Sequence, residues 1–457
     1  MKVQKFGGSS LADGDRIKNT VKIIQSENER VFVVLSAMKG ITNLLLEASS
    51  SAENGDKNYI NNLQAIRDQH YNAIEVLFEG KDKQPVIESV NTLIGELKDI
   101  LHGVELVQEC SLRTGDLIMS FGERLNCTVT AAYFNSLGQK SEMADARDMI
   151  VTDDHYGSSN VFLDRSYSRI RERLSDPETL YIITGFIASS EKGITTTLGR
   201  NGSDYTASLI GAAMNADIVE IWTDVNGVLT ADPRIVDNAH TIPRLTIEEA
   251  MELSYFGAEV IHPYTLMPTV EKNIPVVIKN TLNPSNKGTI IGTGPVIRER
   301  AITGIASIDS VSFINVEGGG MLGIPGIASS IFSALAEAGV NIIMITQASS
   351  EHSICIVIRS SEVEKAVSYL EKKLEYEIKT KKINRIDVKN NLEIIAVIGE
   401  NMKGMTGISG KLFSSLGNSG VNILAIAQGS SERNISLVIE NRDKETALNT
   451  IHKTFIA

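Results

Sequence analysis

The sequence predicts an α/β protein, in which an open, mainly parallel sheet with helices on both faces is followed by a tandem pair of smaller α/β modules. Three observations carry this. Short apolar runs such as Val31–Leu35 alternate with helix-compatible segments, the pattern of strands buried between helices. Polar or glycine-bearing loops follow these runs, where open α/β sheets hold ligands. The last third of the chain then repeats itself at a constant offset.

Composition sets the frame. The 457 residues allow about three domains of ordinary size. A formal charge of −12 and the lack of any long Lys/Arg block speak against nucleic acid or an anionic membrane as partner. The N-terminus MKVQKFGGSS has no apolar stretch of signal-peptide length, and no run approaches the roughly 18 apolar residues of a membrane span. A cytoplasmic address is expected. Cys110, Cys127 and Cys355 stand far apart, with no CxxC and no histidine at metal spacing. That pattern predicts reduced thiols and no protein-bound metal.

Taken in order, KVQKFGGSS reads as a short strand entering the pair Gly7-Gly8, and Asp13–Gln25 as a helix. Val31–Leu35 is a buried strand with Ser36–Thr42 as the loop at its C-terminal end. Residues 48–107, polar and poor in turn signals, predict an all-helical insertion or lid. TGDLIMSFGERLNCTVTAAYFNSLG predicts one long amphipathic helix ending at Gly138. Its Glu123, read alone, is a half-exposed surface carboxylate. Tyr181–Ala188 is an apolar strand, Thr195–Tyr205 a polar loop and Thr206–Ala216 a helix. Ile218–Trp222 is a strand, followed by a turn-rich stretch with Thr223, Asp224, Asp232 and Arg234. His262 before Pro263 reads as structural. Turn residues over Pro284–Gly294 close the first domain.

From Phe313 the chain realigns without a gap on the stretch from Ile394, 81 residues later throughout. Gly326 falls on Gly407, Phe332 on Phe413, Gly339-Val340-Asn341 on Gly420-Val421-Asn422 and Gln347 on Gln428. Each copy reads as βαββα. The second copy has no room for a fourth strand, so 301–308 or 377–388 is expected to supply it.

Three loops, Lys5–Ser10, Ser36–Thr42 and Thr195–Asp204, are expected to meet at one edge of the parallel sheet, where phosphates bind. Lys5 beside Gly7-Gly8 suits a phosphoryl group: the glycines let backbone N–H groups approach, and the ammonium neutralises charge that develops on transfer. Arg200 and Asp204 add a cation and a carboxylate that can grip a small zwitterion. Taken alone, the same loop serves equally as a solvated connector with Ser203 or Asp204 as cap. GxxxxGK[ST] is absent, as are the HRD and DFG motifs, which excludes a P-loop and a protein-kinase fold. Gly318–Gly323 matches GxGxxG, but the second copy loses the pattern at Gly399–Gly404, so no NAD site is expected.

The motifs KFGGSS, VVLSAMKGITNLL, TTTLGRNGSDY, EIWTDVNGVLTADPR and SYFGAEVIHP resemble, in order and spacing, those of aspartate kinases, and the tail repeat resembles their paired ACT domains. The resemblance covers essentially the whole chain. It implies an amino-acid-kinase domain over 1–295, with 48–107 as its helical insertion, and two ferredoxin-like βαββαβ ACT modules over 308–388 and 389–457. It also implies an ATP-dependent phosphotransferase that makes 4-phospho-L-aspartate, the first step of lysine, threonine and methionine biosynthesis, with magnesium entering on ATP. By this analogy Lys5, together with Gly7, Gly8 and Ser9, would contact the transferred phosphoryl group and Asp204 would orient it. Arg200 would hold the aspartate α-carboxylate and Glu123 its amino group. Ser36, Thr42, Phe186, Ser203 and Asp204 would complete that pocket or orient the phosphates, and Thr223, Asp224, Leu229, Arg234 and Glu259 would border the nucleotide. Two departures stand out: Leu229 where many relatives have Tyr, and Glu259 where many have Lys. Asn341, Gln347, Asn422 and Gln428 would bind an effector, threonine by resemblance to the threonine-sensitive branch, with lysine as the alternative. ACT pairing implies a homodimer or larger assembly. A fused NAD-dependent dehydrogenase, a non-catalytic amino-acid sensor and a glutamate kinase are the rival readings.

Overall fold

A computed structural model describes residues 1–257, 263–292, 296, 298, 300–321, 326–347 and 352–456. Glu259 and His262 lie outside these residues, as do 322 and 323 of the GxGxxG match. The chain forms two units, 1–228 with 243–247 and 260–295, and 229–242 with 248–259 and 296–457.

The first unit contains β1 (Lys2–Phe6), β2 (Val31–Leu35), β3 (Ser141–Ala144), β4 (Val151–Thr152), β5 (Leu180–Thr184), β6 (Ile187–Ser190), β7 (Thr195–Thr197), β8 (Ile218–Thr223), β9 (Arg244–Leu245), β10 (Val276–Asn280) and β11 (Thr289–Ile291). Helices up to residue 271 are α1 (Gly14–Gln25), α2 (Ile41–Glu53), α3 (Tyr59–Leu77), α4 (Lys83–Val107), α5 (Leu112–Met119), α6 (Phe121–Ser136), α7 (Leu163–Arg173), α8 (Gly202–Met214), α9 (Ile247–Tyr255) and α10 (Met267–Glu271). The main sheet runs β3-β5-β2-β1-β8-β10-β11-β9. It is parallel from β3 to β10, and β11 turns back antiparallel on β10.

Alternation along the strands assigns the two faces. Phe6, Val33, Leu35, Ile182 and Trp222 share one core with α1 to α6, including Ala48, Leu97 and Leu101 of the helical segment. Val3 and Val219 point the other way, toward Gly211 of α8. Each fully buried aliphatic side chain here contributes about 1.5–3 kcal/mol. The same alternation puts Gln4 and Glu220 on the first face, hydrogen-bonded at 2.9 Å, and Lys5 on the face of α8.

Two elements differ from the sequence reading. The run Tyr181–Ala188 is not one strand: β5 lies in the main sheet, while β6 joins β4 and β7 in a separate sheet. The chain kinks at Gly185-Phe186, where Phe186 has φ 67° and a Cβ on Gly185 would fall 2.6 Å from Ser203 Oγ. The long helix before Gly138 is two helices, α5 and α6, meeting at Ser120, whose hydroxyl donates to Leu117 O at 2.7 Å. A hydroxyl that bonds back to its own preceding turn bends or breaks a helix.

The second unit holds the repeat. Its elements are β12 (Gly304–Glu317), α11 (Ile327–Glu337), β13 (Met344–Gln347), β14 (Ser353–Arg359), α12 (Val363–Lys373), α13 (Glu375–Lys379), β15 (Arg385–Ile398), α14 (Ile408–Asn418), β16 (Ala425–Gln428), β17 (Asn434–Glu440) and α15 (Lys444–Phe455). One sheet runs β13-β14-β12-β15-β17-β16. The two long strands exchange halves: Gly304–Ile308 pairs with Ile394–Ile398 of the second copy, and Arg385–Lys389 pairs with Phe313–Glu317 of the first. The irregular points between the halves carry Ser310 (φ 53°) and Asn391 (φ 61°), equivalent positions of the repeat. Among the described residues, no helix is long and apolar enough to cross a membrane.

Leu412 is fully buried in the second copy's core with Ile395, Leu437 and Ile451. Leu412→Ala should destabilise this unit by about 2–5 kcal/mol, read as a lowered midpoint in its calorimetric transition; an unshifted midpoint would show that the copy does not depend on this core.

Candidate functional site

The site is built where β1, β2, β5 and β8 end. Lys5, on the α8 face of β1, forms an ion pair with Asp204, its Nζ 2.6 Å from Oδ1, and both side chains are largely shielded from solvent. Asp204 lies in the first turn of α8, where the helix dipole favours a carboxylate. α8 starts at Gly202, close behind β7, so the polar loop is shorter than the sequence reading. A Cβ on Gly202 would come 2.8 Å from the Phe186 ring, and Phe186 N donates to Thr206 Oγ1 at 3.1 Å. The kink after β5 and the start of α8 therefore fix each other.

Gly7 continues from β1, with its N–H donated to Trp222 O at 3.1 Å. A Cβ there would sit 3.4 Å from Lys5 Nζ, and one on Gly8 3.1 Å from Ala37 O. The two glycines leave a cradle that side chains would fill.

Glu123 is buried, not the half-exposed carboxylate that it resembles when read alone. Gly122 causes this: a Cβ there would lie 2.8 Å from Ala37 Cβ, so α6 packs directly on the loop after β2. Ala37 N donates to Glu123 Oε1 at 3.2 Å, and Asn126 Nδ2 donates to Ser36 O at 2.7 Å. Burial pushes the Glu123 carboxyl up to about 8, and the N–H donors and Lys5 only partly oppose it. Thr42 stands exposed in the first turn of α2, and Arg200 is exposed ahead of α8.

Among the remaining sequence candidates, Ser9, Ser36 and Phe186 are half-buried and Ser203 is buried. Thr223 Oγ1 donates to the exposed Asp224 at the end of β8 (3.2 Å). Leu229 and Arg234 belong to the second unit, where Arg234 pairs with Asp232 at 2.7 Å. In that unit Asn341, Gln347, Asn422 and Gln428 are exposed. The outer strands β13 and β16 approach each other where Thr346 Oγ1 donates to Ile426 O at 3.3 Å.

The sequence reading missed Asp116. It is buried and accepts from Gly157 N (3.0 Å), Thr197 N (3.1 Å) and Thr197 Oγ1 (2.7 Å), so it ties α5 to β7 just before the Arg200 loop. Burial raises its pKa against those donors. The only signal was an acidic residue on the apolar side of a helix.

Set beside known proteins, the chain matches the amino acid kinase family over residues 1–280 and an ACT domain over 314–374 and 395–455. It is 36% identical over 467 residues to the bifunctional aspartokinase/homoserine dehydrogenase 2, chloroplastic, of Arabidopsis thaliana, covering 99% of this chain and 50% of that protein. It thus spans about half the length of the bifunctional relatives it matches. To aspartokinase 1, chloroplastic, of the same plant it is 34% identical over 464 residues, covering 99% of this chain and 80% of the relative. Among solved structures, E. coli aspartokinase III in complex with aspartate and ADP superimposes with a TM-score of 0.83 at 29% identity, covering 99% of both chains.

Glu123 supplies a titration test. Its carboxyl sits near 8 in the folded chain, above the ordinary value of 4.5, so the folded state holds the proton more tightly than the unfolded state. The associated stability is complete below about pH 4.5 and is lost as pH rises to about 8, at most about 5 kcal/mol. Glu123→Gln lacks this dependence. Between pH 5 and 8 the wild-type melting temperature should fall relative to Glu123→Gln, and parallel curves would refute the assignment.

Proposed function

The chain belongs to the amino acid kinase family, among its aspartokinases with a C-terminal ACT pair, and on that premise we propose that it transfers the γ-phosphoryl group of ATP to the β-carboxylate of L-aspartate. The observation that carries this reading is the Lys5–Asp204 pair beside the Gly7-Gly8 cradle, with the buried Glu123 on the neighbouring loop.

The acceptor carboxylate is ionised near neutral pH, so the step needs no general base. The bond from the γ-phosphorus to the bridging oxygen breaks, a new bond forms to a carboxylate oxygen, and ADP leaves with the electron pair. Catalysis then rests on alignment and charge neutralisation. Lys5 faces the transferred group beside the Gly8 N–H, and Asp204 holds the ammonium in place. Arg200 takes the aspartate α-carboxylate. Glu123, ionising as it meets the substrate ammonium, replaces a buried proton by an ion pair. Ser36, Thr42, Phe186 and Ser203 close the pocket. Thr223, Asp224, Leu229, Arg234 and Glu259 border the nucleotide, and magnesium enters as part of the ATP substrate.

The ACT pair takes an amino-acid effector through Asn341, Gln347, Asn422 and Gln428, in a homodimer or larger assembly. Threonine is the first choice, supported by the glutamine in each copy and by Asn201 in the substrate loop. Lysine is the second reading, favoured by the structure of E. coli aspartokinase III in complex with lysine and aspartate.

Acyl phosphate trapped as the hydroxamate should form with aspartate and not with glutamate, and Lys5→Met should lower kcat by about a hundredfold or more. Threonine should suppress the product. Suppression by lysine alone would reverse the choice of effector, and no product at saturating ATP would overturn the kinase reading. Because the free enzyme holds Glu123 protonated, kcat/KM for aspartate should climb with pH along a limb near 8; that limb should be missing in Glu123→Gln.

A further inference from the structure

Lys5 does not meet the phosphate charge of ATP unaided, because Asp204, 2.6 Å away, already balances its ammonium. A polyphosphate seated on Gly7-Gly8 calls for another cation. One stands against the cradle. A Cβ on Gly8 would lie 3.5 Å from Lys39 Cα and 3.6 Å from Lys39 N, so the backbone of Lys39 touches that of Gly8, and the side chain is exposed. From that Cα, an extended lysine of roughly 6 Å spans the width of a phosphate bound on the Gly8 N–H.

The juxtaposition is held from behind. Gln69 of α3 donates its side-chain amide to Ala12 O (3.2 Å) and to Lys39 O (3.0 Å). A single amide nitrogen thus bridges the loop that follows β1 to the loop that follows β2. Gly40, next in sequence, has φ 87°, a left-handed conformation that lets the chain turn directly from Lys39 into α2.

We infer that Lys39 is a second phosphate-binding cation of the nucleotide site, directed at the β,γ end of ATP, and that Gln69 is the positioning residue that sets it against Gly8. This rests on the kinase reading above and deepens it. Lys5 acts on the group in flight, paired and nearly buried. Lys39 acts on the bound nucleotide, exposed and free to close on it. The helical segment 48–107 thereby contributes to nucleotide binding through Gln69.

Isothermal titration calorimetry reads nucleotide binding without turnover. Lys39→Met in the full-length protein should weaken MgATP and MgADP binding about tenfold, the loss of one charge-assisted contact. AMP binding should stay within twofold of wild type, and Lys39→Arg should restore most of the affinity. In steady state KM for ATP should rise with KM for aspartate unchanged, and Gln69→Leu should shift ATP in the same direction by less. Wild-type affinity for ATP in Lys39→Met, or an equal loss for AMP, would overturn the inference. A wild-type protein that binds nucleotide but forms no acyl phosphate would instead count against the kinase reading, and the binding series would still decide the role of Lys39.

Discussion

The Lys5–Asp204 pair is the interaction on which the first unit's architecture converges. Strand alternation turns Lys5 toward α8, the kink at Gly185-Phe186 lets α8 begin close to β1, and the helix dipole favours the carboxylate where it lies. Each is a backbone constraint, and together they leave the pair one place to form. A buried pair adds little net stability, but breaking it by removing one partner costs about 3–5 kcal/mol. Its value lies in orientation: the pair holds an ammonium beside a glycine cradle and shields it from water.

Three buried carboxylates near this edge show how environment sets the state of a buried acid. Asp116 accepts from Gly157 and Thr197 and is satisfied within the fold. Asp204 has its cation. Glu123 has the Ala37 N–H and little else, and burial keeps it protonated to about 8. A buried acid that lacks a full set of donors is costly, and a cationic ligand removes that cost. Of the three, Glu123 is the one whose burial is least offset by donors.

Much of this was legible. Val31–Leu35 is a short β-branched apolar run and Ile218–Trp222 is one interrupted by Glu220 alone, which reads as strand, and an offset of 81 residues fixes two copies of one module without any propensity argument. Lys5, Gly7, Gly8 and Asp204 could be named from glycine and charge placement after strands. What stayed hidden depends on contacts distant in sequence. Nothing local marks Gly185 as a kink, since the space there is set by Ser203. Glu123 looks like a surface acid until Gly122 is seen to admit the loop after β2. Gln69 is one polar residue among many on a helix, and its role appears only when Ala12 and Lys39 are brought to it. The lack of room for a fourth strand in the second copy pointed to 301–308 or 377–388, and Gly304–Ile308 pairs there with Ile394–Ile398; the reciprocal pairing of Arg385–Lys389 with Phe313–Glu317 is what a repeat whose two copies read the same does not show.

The two copies share a fold but not a role within their unit. Among the described residues, segments 229–242 and 248–257 are fastened by side chains of the second copy. Thr230 Oγ1 lies 3.0 Å from His452 Nε2, Glu252 accepts from Asn434 at 2.9 Å, and Ile235 O accepts from Asn449 at 3.1 Å. The equivalent residues of the first copy, Glu371, Ser353 and Ser368, differ at each place, and Tyr255 reaches that copy through the backbone carbonyl of Ile343. The buried pair Glu393–Lys444, at 2.6 Å, is also peculiar to the second copy, since Ser312 and Val363 stand there in the first. The first copy is joined to these segments through the shared sheet, where β12 and β15 contribute to both copies.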